Sequence, residues 1–118
     1  MAIAQSAVVP YRRLNGTTEI LLITSTGGKR WLIPKGLIEP DMTPWESATN
    51  EAYEEAGVFG HTDETEIGVY EYFKWGATCR VRVYLMSVEK EVDPFPESNF
   101  RTRRWVAAQE AAAMTEDP

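Results

Sequence analysis

The chain is 118 residues long, 43% hydrophobic and 25% charged, with a formal net charge of −6 at pH 7, which suits one compact domain over residues 1–118 with a modest core. That acidity argues against a general nucleic-acid or membrane binder, because binding to a phosphate backbone calls for a broad basic surface; any phosphate must be met locally. Cys79, the single cysteine, cannot form an internal disulfide, no apolar run reaches the roughly 18 to 20 residues of a membrane span, and residues 1–10 lack the basic region of a signal peptide, so a cytoplasmic location is expected.

Residues 2–11 and 19–25 are rich in Ile, Val and Leu and flank Asn15-Gly16, a strong turn signal, so a hairpin opens the chain. A second turn at Thr26-Gly27-Gly28 leads into Arg30-Trp31-Leu32-Ile33, a strand-like run that Pro34 ends, and a loop follows. The next segment is punctuated as a helix over residues 44–56. Thr43 is its N-cap, Pro44 its first position, Glu46 completes a Thr-x-x-Glu capping box, and Gly57 is the stop. His61 then falls in a polar loop and is expected to be exposed. Residues 67–75 and 78–88, separated by Gly76-Ala77, read as a second hairpin with Cys79 as a small buried hydrophobe. A further strand is expected over 100–106 and an alanine-rich helix over 107–114, before a short acidic end at 115–118 that should fray. The pattern predicts an α+β fold whose sheet is covered on both faces, since two helices so far apart in sequence cannot form a core of their own.

The first helix concentrates charge in an unfavourable way. Glu51 and Glu55 are a like-charged i,i+4 pair, Glu54 projects toward the same region, and all three lie near the helix C-terminus, where the macrodipole disfavours anions. A solvated acidic face is the ordinary reading of such a cluster. Against it, no Lys or Arg within the helix balances the charge. A hard cation with oxygen ligands compensates naturally, and Mg²⁺ completes its shell with waters and substrate phosphates. In the preceding loop Gly36 lets the backbone approach a ligand or offer a carbonyl to a metal, and Lys35 can meet a phosphate as a point charge.

From Gly36 to Val58 the chain resembles the Nudix box, with Gly36, Glu51, Glu54, Glu55, Gly57 and Val58 in register. A match of this length is far more specific than a lone glycine-rich loop. Two positions depart: Met42 stands for the first Glu of the box and Asn50 for its Arg, a pair that in the family braces loop against helix. Their joint absence leaves no orphaned charge, and the capping box at Thr43 and Glu46 is the expected replacement. The resemblance implies an α/β/α sandwich with a central mixed sheet and a catalytic loop-helix. It also implies Mg²⁺ or Mn²⁺ held by Glu51, Glu55 and the carbonyl near Lys35 or Gly36, and Glu54 orienting or deprotonating the attacking water.

More loosely, Arg30 to Gly36, Tyr84-Leu85-Met86 and Arg101 to Trp105 resemble the subgroup that cleaves diphosphoinositol polyphosphates and diadenosine polyphosphates. Such anionic small molecules need clustered cations, for which Arg12, Arg13, Lys29, Arg30, Lys35, Arg101, Arg103 and Arg104 are candidates, with a hydroxyl from Ser25. Arg101 and Arg103 should share one strand face and Arg104 the other. Trp31, Trp45, Tyr53 and Trp105 read as core, while Tyr72, Phe73 and Trp75 are better placed to stack on a base. The expected activity is metal-dependent hydrolysis of a diphosphate linkage, by a monomer or a homodimer. The alternative, suggested by Met42 and Asn50, is a non-catalytic Nudix-fold module that binds nucleotide.

Overall fold

The computed structural model describes residues 2–115; the rest of the acidic end read from the sequence, residues 116–118, lies outside them. In chain order the elements are β1 (Ile3–Leu14), β2 (Thr17–Thr24), β3 (Trp31–Leu32), β4 (Lys35–Leu37), α1 (Pro44–Ala56), β5 (Val58–Thr62), β6 (Gly68–Lys74), β7 (Ala77–Glu91), β8 (Arg103–Ala107) and α2 (Ala108–Met114). All eight strands belong to one mixed sheet with a spine of β3-β2-β1-β7-β5, to which β4, β6 and β8 add along β1, β7 and β2. Only the central pair, β1 with β7, is parallel among these pairings; it runs from Ile3 opposite Cys79 to Tyr11 opposite Ser87. The predicted α+β architecture, a sheet with a helix on each face, is what forms.

Strand alternation assigns the two faces. Val8, Leu21, Ile23, Tyr84 and Met86 turn toward α1 and meet Ala48, Ala52 and Ala56, a stripe of small residues that lets the helix lie close to the sheet. Leu22, Ile20 and Val106 turn the other way, where Ala111 and Met114 of α2 cover them. Between them on that second face, Ala7, Val81 and Val83 pack with Val9, Ile33 and Tyr72.

The turns follow the sequence signals, with one shift. Asn15 and Gly16 both take positive φ, 53° and 80°, as a tight primed turn requires. The second hairpin turns on Trp75 (φ 57°) and Gly76 (φ 69°) instead of Gly76-Ala77. Two strands were not foreseen. Residues 35–37, read as loop, pair with Gln5–Ala7 as β4, and residues 58–62, also read as loop, pair with β7 as β5. His61 is exposed as expected, but on a strand. Both segments are too short, and too poor in alternation, to announce themselves; pairing with a long neighbour makes them strands. Trp31, Trp45 and Trp105 are half-buried against the hydrophobic clusters, and Tyr53 stacks on Phe59 at 4.8 Å.

Helix α1 begins and ends where its punctuation predicts. The Thr43 hydroxyl accepts from Glu46 N–H at 3.2 Å and the Glu46 carboxylate accepts from Thr43 N–H at 2.8 Å, while Gly57 is left-handed with its N–H on the Tyr53 carbonyl. Thr43→Ala should cost about 1 kcal/mol of unfolding free energy in urea denaturation, the usual worth of an N-cap; an unchanged midpoint would mean that tertiary contacts alone fix the helix start.

Candidate active site

The last two turns of α1 carry Glu51, Glu54 and Glu55, and each meets a different partner. Gly36 lies directly against Glu51: a methyl at Gly36 would sit 2.8 Å from Glu51 Oε1 and closer still to Cδ and Oε2. Only a bare backbone fits there, so the glycine is needed for close approach and not for unusual dihedrals. Glu55, nearly buried, accepts the Lys35 N–H at 3.1 Å. Strand β4 and helix α1 are thus joined at the two carboxylates themselves.

Glu54 takes a hydrogen bond from the Asn50 side-chain amide at 3.0 Å, one helical turn back. Asn50, standing where the box has Arg, therefore restrains a glutamate with a neutral donor. The loop-to-helix brace comes from elsewhere. The capping box supplies part of it, as expected; Ser47 Oγ supplies the rest, accepting from Glu39 N–H at 3.0 Å and lying 3.8 Å from Met42 Sδ.

Two more residues complete the cluster: Glu97, which the sequence reading did not assign, and Arg101, which it read as a cation for the substrate. Glu97 accepts from Arg101 Nε at 2.6 Å, and its own N–H donates to the Glu54 carbonyl at 3.1 Å. Arg101 then spans Glu97, Glu55 (3.7 Å) and the Thr24 carbonyl (2.8 Å). No local pattern marks Glu97, which lies in an irregular segment; the nearby arginine run was the only available hint.

Burial first, and then the adjacent Glu55 charge, push the Glu51 carboxyl up to about 8, with Glu54 and Glu97 adding to the rise. Burial also raises Glu55, although Arg101, a hydrogen bond from Glu51 and the Lys35 amide pull it back. A carboxylate pair this unfavourable when ionised suits a divalent cation, and the bare backbone at Gly36 leaves the approach open. Among the described residues no group of three or more His, Cys, Asp or Glu side chains is placed to hold a metal ion. Two carboxylates suit an ion that takes its remaining ligands from water and substrate.

Behind Lys35 lies a cavity of about 730 Å³ lined by Arg30, Lys35, Lys74, Tyr70, Tyr72 and Phe73, among others. The Lys35 ammonium sits 5.3 Å from the Tyr72 ring centroid, and burial lowers its pKa while Glu55 opposes that fall. Lys74 was not singled out from the sequence, yet alternation along β6 places it with Tyr70 and Tyr72. Trp75 is 67% exposed at the hairpin tip beside Lys74.

Three residues read as substrate contacts are engaged elsewhere. Arg12 pairs with Glu19 at 2.8 Å and covers Trp105 at 4.1 Å. Arg103 does share a face with Arg101, but its guanidinium donates to the carbonyls of Ala56 (3.0 Å), Gly57 (3.4 Å) and Val92 (2.7 Å), pairs with Glu91 and lies over Phe95. It caps the C-terminal end of α1, compensating carbonyls that a helix leaves unpaired. Ser25 Oγ accepts the amides of Lys29 and Arg30, closing the turn. Arg30 and Lys35 both line the cavity.

The NUDIX domain family matches residues 4–118. Nudix hydrolase 16, mitochondrial, of Arabidopsis thaliana is 34% identical over 93% of this chain and 71% of its own length. The human diphosphoinositol polyphosphate phosphohydrolase 3-alpha is 33% identical over 79% of this chain and 57% of its own length. In fold, the chain is similar to an Ap4A hydrolase of C. elegans, with a TM-score of 0.77, 24% identity, and coverage of 98% of this chain and 87% of that one. Several curated relatives are longer; the chain spans 51% and 65% of two further Arabidopsis Nudix hydrolases.

Without divalent cation, the raised Glu51 pKa means that the folded chain keeps a proton which the unfolded chain releases near the ordinary value of 4.5. Stability therefore falls as pH climbs from that value toward about 8. In chelator, thermal melts should lose about 5 °C between about pH 5 and about pH 8, and Glu51→Gln should flatten the profile. A wild-type midpoint that rises over this interval would contradict the assignment.

Proposed function

We propose that this chain, which belongs to the Nudix family, is a divalent-metal-dependent pyrophosphohydrolase acting on a nucleoside-polyphosphate substrate, with diadenosine polyphosphates as the favoured class. The observation that carries the reading is the double role of Lys35. Its backbone amide holds Glu55 in the carboxylate cluster, and its side chain lines the cavity of cations and aromatic rings. A polyphosphate lying along Lys35 would reach the carboxylates at one end and Tyr70, Tyr72 and Phe73 at the other. An inositol ring has no π face for those aromatics, whereas a nucleobase does. The relatives named for Ap4A and for diphosphoinositol polyphosphates bracket the choice.

Glu51 and Glu55, with a backbone carbonyl at Lys35 or Gly36, would hold Mg²⁺ or Mn²⁺. A bound divalent ion supplies neutralisation of the diphosphate charge and acidifies water. Glu54, steadied by Asn50, takes the proton of the attacking water. Water oxygen bonds to phosphorus, the bridging P–O bond breaks, and the departing phosphate keeps the electron pair. Lys35, with Lys74 and Arg30 beside it, offsets charge on the polyphosphate.

Glu54→Gln keeps the shape of the residue and removes its basicity. With diadenosine polyphosphates, diphosphoinositol phosphates, nucleoside triphosphates and nucleotide sugars assayed in Mg²⁺ and in Mn²⁺, the variant should lose ~100-fold or more in kcat. Turnover at the wild-type rate would remove Glu54 from the mechanism, and tight nucleotide binding without product by the wild-type chain would favour a binding module.

Phe73, 75% exposed at the cavity rim, separates the substrate classes. Phe73→Ala should raise KM for diadenosine polyphosphates about tenfold, the worth of one base stack, and leave diphosphoinositol substrates unchanged. Equal effects on both would turn the choice toward the inositol class.

A further inference from the structure

Strand β1 alternates between the faces of the sheet, with Val8 packed toward α1 and Ala7 and Val9 packed on the opposite side. Ser6 therefore turns toward α1. It is fully buried, and among the described residues its Oγ is the buried side-chain polar atom without a hydrogen-bond partner. Such a hydroxyl destabilises a fold, and alanine at the same position would remove the cost, so its presence asks for a reason.

The register supplies one. Ser6 stands directly opposite Gly36 in the antiparallel pairing of β1 with β4. Residues so opposed share a face, with Cβ positions about 4.5–5.5 Å apart, and the Cβ position of Gly36 is where the Glu51 carboxyl lies. No side chain at Gly36 intervenes, so the Ser6 side chain and the Glu51 carboxyl lie on the same face of β4, with Ser6 Oγ unbonded in this structure. Other donors around the cluster are committed. Ser47 serves Glu39 and Met42, Asn50 serves Glu54, and Arg101 serves Glu55, Glu97 and Thr24. On the other flank of Ser6, its β7 neighbour Arg82 reaches Glu66.

We propose that Ser6 is a positioning residue for Glu51, donating its hydroxyl to whichever carboxylate oxygen does not engage the cation. A metal-ligating carboxylate is oriented by the hydrogen bond on its other oxygen, and loss of such a partner typically weakens metal binding 10- to 100-fold. The proposal rests on Glu51 being a metal ligand.

The test uses Mn²⁺ alone as probe, in titration calorimetry, together with thermal melts in chelator and steady-state kinetics, on the wild-type chain, Ser6→Ala and Ser6→Thr. Ser6→Ala should melt at or above the wild-type midpoint in chelator, bind Mn²⁺ about tenfold more weakly, and lose kcat with KM unchanged. Ser6→Thr, which keeps the hydroxyl on a side chain well suited to a strand, should recover Mn²⁺ affinity. Wild-type Mn²⁺ affinity and kcat in Ser6→Ala overturn the assignment, as does a large fall in its melting temperature, which would make the hydroxyl structural. A wild-type chain that fails to bind Mn²⁺ overturns instead the reading of Glu51 as a ligand.

Discussion

A short strand that offers the carboxylate helix only backbone holds the site together. The Lys35 amide donates to Glu55, and Gly36 gives Glu51 room to lie where a side chain would be. Strand β4 is fixed to β1 on its other edge, so the carboxylates are referenced to the centre of the sheet and not to a free loop. The same arrangement settles the orientation of Lys35. Alternation sends its side chain to the face opposite Glu51, into the cavity, while its amide stays with Glu55. One residue can therefore serve two compartments because a strand separates what its backbone and its side chain touch.

Packing four carboxylates into so small a volume is unfavourable, and the fold meets the cost with two arginines from one segment. Arg101 spans Glu97 and Glu55 and anchors on a β2 carbonyl; Arg103 satisfies carbonyls where α1 ends and β5 begins. The first balances charge and the second satisfies unpaired carbonyls. No ion pair is seen at Glu51 among the described residues, and burial, followed by the neighbouring Glu55 charge, raises its pKa. Compensation is thus uneven between Glu97, which Arg101 engages directly, and the residue that lies on Gly36.

Much of this could be read from the chain before any coordinates, and the reasons differ by residue. Helix α1 was legible to the residue because Thr43, Pro44, Glu46 and Gly57 act locally, through bonds of a few residues' span. The long strands were legible from alternation and the first hairpin from Asn15-Gly16. Strands β4 and β5 were not, because three and five residues carry little period of their own and owe their conformation to β1 and β7. The arginines show the same divide. Sequence grouped Arg12, Arg30 and Arg103 among the cations for a polyanion, but Arg12 lies over Trp105 and Arg103 reaches Ala56 and Gly57, partners distant in sequence. Glu97 escaped notice for the converse reason, since only tertiary contact with Glu54 and Arg101 makes it part of the cluster.

The parallel pairing of β1 with β7 carries a consequence for biosynthesis. Ile3 meets Cys79 and Tyr11 meets Ser87, so the two central strands are joined by almost everything between them, including the carboxylate helix. Closing so long a loop precedes the contacts that reward it, which makes such topologies slow to form. On a ribosome, α1 emerges well before β7, so the edge of β1 with which β7 will pair has no partner yet. Glu97 and Arg101, which complete the carboxylate cluster, lie later still in the chain, so the cluster of Glu51, Glu54 and Glu55 is assembled only when the last strands are in place.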